Sequence, residues 1–178
     1  MIKKRKAQLI ISLIVFLLSL LGLFMVIFMN ASEKDPDEKK EVLLSIDSSA
    51  VRRLEAVSVR NSYILERPDK DNSIWYLKSD EREVNNEKVN AMLSAIERVT
   101  SSKIICSPLN WSDYGLDKPL MTIGIELYSG ERHLIEIGVY SQAEHMFYSR
   151  IDKKNEIYLI TTIINSVFDV SDDGLRAK

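Results

Sequence analysis

The sequence has few of the residues from which catalytic and metal sites are usually built. It contains one cysteine, Cys106, and two histidines, His133 and His145. A single cysteine permits no disulfide within the chain and no tetrahedral zinc site of the cysteine and histidine type. We expect Cys106 to be a small buried hydrophobe, His133 to be partly buried on a strand, and His145 to lie in a turn.

Signatures of nucleotide binding and of serine hydrolases are also missing. The sequence contains no Gly-x-Ser-x-Gly motif, no Walker phosphate loop and no dinucleotide fingerprint. These glycine-containing turns expose a nucleophile or bring backbone N–H groups to phosphate, so we expect no ATPase activity and no cofactor. Residues 169–174 match the start of a calcium loop, but no residue occupies the twelfth position, where the bidentate glutamate belongs. We expect a helix end there and no metal.

Positive charge is outweighed by negative charge after the first six residues. Four of the 24 Lys and Arg residues come first, at Lys3, Lys4, Arg5 and Lys6, whereas all 26 acidic residues follow position 29. The remainder of the chain therefore carries a net charge of −6. Because phosphate repels an acidic surface, we expect no nucleic-acid partner.

One long apolar segment is present, from Ala7 to Met29. It carries no charge, and 16 of its residues are Leu, Ile, Val or Phe. At about 1.5 Å per residue the segment reaches about 34 Å, which exceeds the roughly 30 Å of bilayer hydrocarbon. The pattern predicts a transmembrane helix, because a buried helix of a soluble protein would show a polar stripe and a cleaved signal has a shorter apolar core.

The charges around this segment predict its orientation and the domain order. The basic residues at 1–6 favour a cytoplasmic tail, so residues 42–178 would form an extracytoplasmic domain. Residues 30–41 contain an eight-residue stretch, Glu33–Lys40, without an apolar side chain, which is typical of a solvated spacer. The expected localisation is the cell membrane, with a single pass through the bilayer.

The domain sequence alternates short apolar runs with turn formers, which favours a mostly antiparallel α+β fold. A longer helix is predicted from Asn85 or Asn86 to Val99, because apolar residues recur there at steps of three and four. A short closing helix is predicted over 161–170. The predicted strands are 42–46, 56–59, 63–67, 74–77, 103–106, 121–128, 133–139, 146–151 and 156–160.

Three aromatic residues are candidates for contact with a partner. Trp75 lies in an apolar run, so we expect it in the core. Trp111 and Tyr114 lie in a Pro-flanked loop, where packing under the loop and contact with a partner are both open. These two are the candidate partner-binding residues.

Several motifs together resemble the bacterial domain of unknown function 4340 family. The resemblance covers most of the chain after about Ser45, and its most specific element is Tyr114-Gly115-Leu116-Asp117-Lys118-Pro119. The other matching segments are Trp75-Tyr76-Leu77, the helix from Asn85 to Val99, Ile137-Gly138, Tyr148-Ser149-Arg150, Ile157-Tyr158-Leu159-Ile160 and Leu175-Arg176-Ala177-Lys178. The resemblance implies a membrane-anchored accessory protein of an ABC-type transporter of the gliding-motility or auxiliary kind, whose permease and ATPase are separate chains. It implies no catalytic residues.

Two functions follow from these observations. The first is a binding module without enzymatic activity, held at the bilayer by residues 7–29 and docked on a permease or another membrane protein. The second is an envelope hydrolase that uses strand carboxylates such as Glu126, Glu131 or Glu136. A pair of these carboxyl groups in one concave pocket would favour the second function.

Overall fold

The computed structural model describes residues 41–101, 104–106, 108 and 110–177. The predicted tail, the predicted membrane span at 7–29 and nearly all of the spacer lie outside these residues. Among the described residues, no helix has the length and apolar character needed to cross a membrane. The described residues all belong to one compact unit, Lys39–Lys178.

Within the described residues the fold is α+β, with two antiparallel sheets and two α-helices. The order along the chain is β1 (Glu41–Ser45), β2 (Val51–Ser58), β3 (Ser62–Glu66), β4 (Tyr76–Leu77), β5 (Arg82–Glu83), α1 (Asn86–Glu97), β6 (Arg98–Ser101), β7 (Ile104–Cys106), β8 (Met121–Leu127), β9 (Arg132–Ser141), β10 (Met146–Ile151), β11 (Glu156–Ile160) and α2 (Thr162–Phe168). The mostly antiparallel sheet with one longer and one short helix was predicted correctly.

The larger sheet has nine strands in the order β5-β4-β3-β2-β8-β9-β10-β11-β7, and β1 pairs with β6 in a separate ribbon. One face of the large sheet, the inner face, packs against both helices. Side chains alternate along each strand, so Ile123 and Ile125 of β8 and Ile135 and Ile137 of β9 all enter this core. The opposite face is called the outer face below.

Helix α1 supplies much of the cover for the inner face. Its buried residues are Val89, Met92, Leu93 and Ile96, which recur at the spacing of one helical face. The Asn85 side chain caps the helix by accepting hydrogen bonds from the N–H groups of Glu87 and Lys88, at 2.9 and 3.4 Å. The start of the helix was therefore predicted correctly.

The predicted end of this helix at Val99 is wrong. The helix ends at Glu97, and the chain turns at once into strand β6, where Arg98 is extended with φ −144°. Val99 is buried as a strand residue that pairs with Leu44 of β1. A buried valine is compatible with the repeat of a helix and with that of a strand. The spacing of Val99 from Ile96 therefore did not distinguish the two.

Strands β2 and β4 also differ from their predictions. Strand β2 begins at Val51, five residues before the predicted start, and includes Arg52 and Arg53. Strand β4 contains only Tyr76 and Leu77, so Trp75 precedes it, although Trp75 is buried as predicted, with 2% of its surface exposed.

Candidate functional site

The motif loop, residues 110–120, lies on the outer face. It begins with a 3₁₀ turn over Trp111–Tyr114, capped by the Asn110 side chain, which accepts a hydrogen bond of 3.1 Å from the Ser112 N–H. Gly115 ends the turn with φ +66°, a left-handed conformation that glycine adopts without steric cost.

Gly138 of β9 lets this loop approach the sheet closely. A β-carbon at Gly138 would lie 2.0 Å from the backbone oxygen of Tyr114 and 3.2 Å from the Leu116 side chain. Leu116 is buried on this face, together with Ile157 and Leu159 of β11. The loop therefore covers the outer face over β9 to β11 and closes a small second core there.

Trp111 lies over a buried ion pair between two strands. The guanidinium carbon of Arg150 is 4.6 Å from the centre of the Trp111 ring. Arg150 donates two hydrogen bonds to Glu136, of 2.6 and 2.9 Å, and the Glu136 side chain is 9% exposed. The hydrogen bonds with Glu136 raise the pKa of Arg150 against the opposing effect of burial. The two hydrogen bonds fix the surface on which the indole rests.

Tyr114 packs against Tyr148, the residue two positions before Arg150. Their ring centres are 5.0 Å apart and their planes are inclined by 78°, an edge-to-face arrangement. Trp111, Tyr114, Glu136, Tyr148 and Arg150 are called the loop cluster below. The structure brings both candidate partner-binding residues into this cluster, where each is partly exposed.

An exposed aliphatic surface lies on the neighbouring strands. Ser58 of β2 pairs with Met121 of β8 in antiparallel orientation. Val59, which follows Ser58, therefore lies beside Leu120, which precedes Met121, at this end of the sheet. Val59 is 82% exposed, and Val57 and Leu120 are each 41% exposed. These three residues are called the aliphatic patch. The patch was not predicted from the sequence, because its members come from two segments that only the strand pairing joins.

A charged cavity opens at the other end of the same strands. Its volume is about 470 Å³. The lining residues are Arg53, Glu55, Gly124, Ile125, Glu126, Arg132, His133, Leu134, Asp152 and Lys153. Because Gly124 has no side chain, the middle of the floor is open: a β-carbon there would meet only Glu55, at 3.6 Å.

The three candidate hydrolase carboxylates do not share this cavity. Of them, only Glu126 lines it. Each carboxylate faces a different cationic or imidazole group: Glu126 contacts Arg132 at 3.2 Å, Glu131 contacts His133 at 3.2 Å, and Glu136 binds Arg150. This cavity therefore holds one of the three carboxylates and not a pair.

His133 is partly buried on strand β9, and His145 lies in a turn. His133 sits between two carboxylates, with Nδ1 3.1 Å from Asp152 and Nε2 3.2 Å from Glu131. His145 lies in a turn with φ +54° and contacts the Tyr140 hydroxyl at 3.1 Å. No group of three His, Cys, Asp or Glu side chains that could hold a metal occurs among the residues that the structure describes.

The calcium-like fragment has a structural role. Asp169 accepts hydrogen bonds from the Ser58 hydroxyl at 3.2 Å and from the Asn61 amide at 3.0 Å. Its carboxylate thus ties the end of α2 to the turn between β2 and β3. A 3₁₀ turn over Asp172–Leu175 follows.

These features define an α+β protein with a single nine-stranded antiparallel sheet, a helical inner face and a loop-covered outer face. The family model described as domain of unknown function (DUF4340) matches residues 75–178, more than half of the chain. The chain belongs to this family. The match begins later than the expected start near Ser45, and it contains the whole loop cluster. Comparison with curated proteins and with solved structures gave no match.

Proposed function

We propose that this protein is a membrane-anchored docking module without enzymatic activity, which binds the permease of an ABC-type transporter on the extracytoplasmic side. The observation that carries the proposal is the aliphatic patch beside the loop cluster. Val59 is 82% exposed, so the fold of its own chain buries little of its apolar surface. Burial of such side chains in a partner would be favourable by about 25 cal/mol per Å².

The composition of this surface suits a protein partner. Val57 of the patch and Arg150 of the loop cluster lie in one cross-strand row, which runs through Thr122 and Glu136. Trp, Tyr and Arg, which occur in the loop cluster, are the residue types that contribute most to protein interfaces. Arg150 already pairs with Glu136, so its geometry is set before binding and little side-chain entropy would be lost. The net charge of −6 after position 29 disfavours anionic lipid as the occupant.

The length of the spacer limits where the partner can be. Residues 30–41, fully extended, reach at most about 40 Å. A domain anchored by residues 7–29 would therefore stay within that distance of the bilayer and of the proteins embedded in it. Tethering of this kind raises the effective concentration of a weak contact into the millimolar range.

Catalysis by strand carboxylates is the weaker alternative. Each candidate carboxylate contacts a different side chain: Glu126 contacts Arg132, Glu131 contacts His133, and Glu136 contacts Arg150. A glycoside hydrolase needs two carboxyl groups about 5 to 10 Å apart across one substrate. The geometry therefore favours docking.

Affinity purification of the full-length protein from detergent-solubilised membranes of its own host tests the proposal. We expect the permease to co-purify with the natural protein and to be lost with Val59→Asp, because a charge in the patch would have to be desolvated on docking. Ile163→Asp is the matched control, since Ile163 is also an exposed aliphatic residue, at 60%, but lies on α2. Equal recovery with both variants, or no membrane protein with any of them, would contradict the proposal.

A further inference from the structure

The turn between β10 and β11 holds a lysine in a conformation that lysine rarely adopts. Asp152 and Lys153 have φ values of +50° and +54°, and the Lys154 N–H donates to the Ile151 carbonyl at 3.0 Å. Positive φ at both central positions is the pattern of a type I′ hairpin turn, where glycine is strongly preferred at the second position. Lys153 occupies that position.

Asp152 and Lys153 differ in the side-chain interactions that offset the cost of their left-handed backbone conformation. One oxygen of the Asp152 carboxylate accepts a hydrogen bond of 2.8 Å from the Leu134 N–H, and the other lies 3.1 Å from His133. Lys153, in contrast, makes no ion pair within the part of the chain that the structure describes, and it lines the charged cavity. A strained residue without a structural partner at the rim of a cavity points to a function for its side chain.

The other wall of the cavity presents two partly satisfied carboxylates. One Glu55 oxygen binds Arg53 at 3.0 Å, and one Glu126 oxygen binds Arg132 at 3.2 Å. Within the described residues, the second oxygen of each carboxylate has no hydrogen-bond donor. These oxygens can accept hydrogen bonds from a cationic ligand group, while Lys153 can donate to an anionic one.

We propose that this cavity binds a zwitterionic ligand of the short-peptide class. The ligand carboxylate would lie on Lys153, its ammonium group on Glu55 and Glu126, and its uncharged middle over Gly124. The volume of about 470 Å³ falls within the range of sites for small molecules. This site goes beyond the docking function, because it lies at the opposite end of the strands from the aliphatic patch.

Other ligand classes fit the lining less well. A phosphate or another polyanion would face the carboxylates of Glu55 and Glu126. None of the ten lining residues is Phe, Tyr or Trp, so the stacking surface usual for sugars is missing from the cavity. The lining contains three cationic and three acidic side chains, which matches a ligand with one charge of each sign.

Binding of trialanine to the full-length protein in detergent micelles, followed by calorimetry, tests the proposal. We expect saturable binding by trialanine. N-acetyl-trialanine, which lacks the ammonium group, and trialanine amide, which lacks the carboxylate, should each bind about tenfold more weakly or worse. No binding of trialanine up to about 10 mM, or tighter binding of inorganic phosphate, would overturn the proposal.

The variant Lys153→Gly separates a binding role from a merely structural one. Glycine relieves the left-handed backbone, so the melting temperature should stay level or rise, while affinity for trialanine should fall about tenfold or more. Lys154→Ala, one position further along the turn, should leave the affinity within about twofold. An unchanged affinity in Lys153→Gly would contradict the proposal. Val59→Asp should not affect trialanine binding, so failure of the docking function and of this site can be told apart.

Discussion

The backbone oxygen of Tyr114 lies directly over Gly138, at a separation that leaves no room for a β-carbon. A β-carbon at Gly138 would approach that oxygen to 2.0 Å, whereas real contacts of this kind exceed 3.0 Å. The motif loop and strand β9 therefore fit each other only with glycine at this position. This relationship explains why Tyr-Gly-Leu and Ile-Gly occur together among the motifs that carry the family resemblance.

The substitution Gly138→Ala should destabilise the domain by about 2 kcal/mol or more, because the loop must move off the sheet to admit the methyl group. Urea unfolding at neutral pH measures this change. Gly124→Ala is the matched control: its β-carbon meets nothing closer than 3.6 Å, and alanine is the better strand residue. Its stability should equal or slightly exceed that of the natural protein. Similar losses in both variants would contradict the close approach of Tyr114.

The ion pair beneath Trp111 makes a second prediction. Arg150→Met removes both hydrogen bonds to Glu136 and leaves a carboxylate that is 9% exposed without its partner. Removing one member of such a pair costs about 3 kcal/mol or more of unfolding free energy. The double variant Arg150→Met with Glu136→Leu should recover to within about 1 kcal/mol of the natural protein, because no buried charge remains.

Thermal or denaturant unfolding of Arg150→Met, Glu136→Leu and the double variant completes that cycle. The coupling between the two sites should be clearly favourable. Additive losses would show that Arg150 and Glu136 act independently and that the pair does not fix the surface under Trp111.

Tyr63 makes a third prediction, on alkaline pH. Its hydroxyl donates a hydrogen bond of 2.8 Å to the Phe168 carbonyl, and burial raises its pKa above the ordinary 10.0, with a further contribution from the charges of Asp169 and Asp172. The folded protein thus keeps this proton at a pH where the unfolded chain loses it. The stabilisation is complete below pH 10 and is lost as the pH rises beyond it.

Unfolding free energies measured at pH 9 and pH 11 check this linkage. The natural protein should lose more stability between the two values than Tyr63→Phe does, since phenylalanine has no proton to release. At pH 9 the variant should already be less stable by about 1 kcal/mol, through loss of the hydrogen bond to Phe168. The same pH dependence in both proteins would contradict the assignment to Tyr63.

Much of the fold could be predicted from local patterns. The turn formers around Gly130 and at 152–155 bounded β8 to β11 closely, and β10 and β11 have their predicted limits. Strand β2 was predicted too short, because Arg53 looked like a loop residue. In the structure Arg53 lies on the outer face and pairs with Glu55 and Glu66, so charge is compatible with a strand whose other face is buried.

The candidate site was harder to predict, because it depends on strand order. Trp111 and Tyr114 could be selected as exposed aromatic candidates in a loop, but nothing local indicated that Arg150 lies under the indole. The aliphatic patch could not be predicted for the same reason, because Val59 and Leu120 lie far apart along the chain. Only the pairing of β2 with β8 brings these two residues together.

Site-directed photo-cross-linking in intact cells tests the docking proposal most directly. A photoreactive amino acid would replace Val59 in one variant and Ile163 in another, both highly exposed aliphatic positions, at 82% and 60%. We expect the probe at position 59 to capture the permease of an ABC-type transporter and the probe at position 163 not to capture it. Capture of the permease from both positions at equal yield, or from neither, would contradict the assignment of the aliphatic patch as the docking surface.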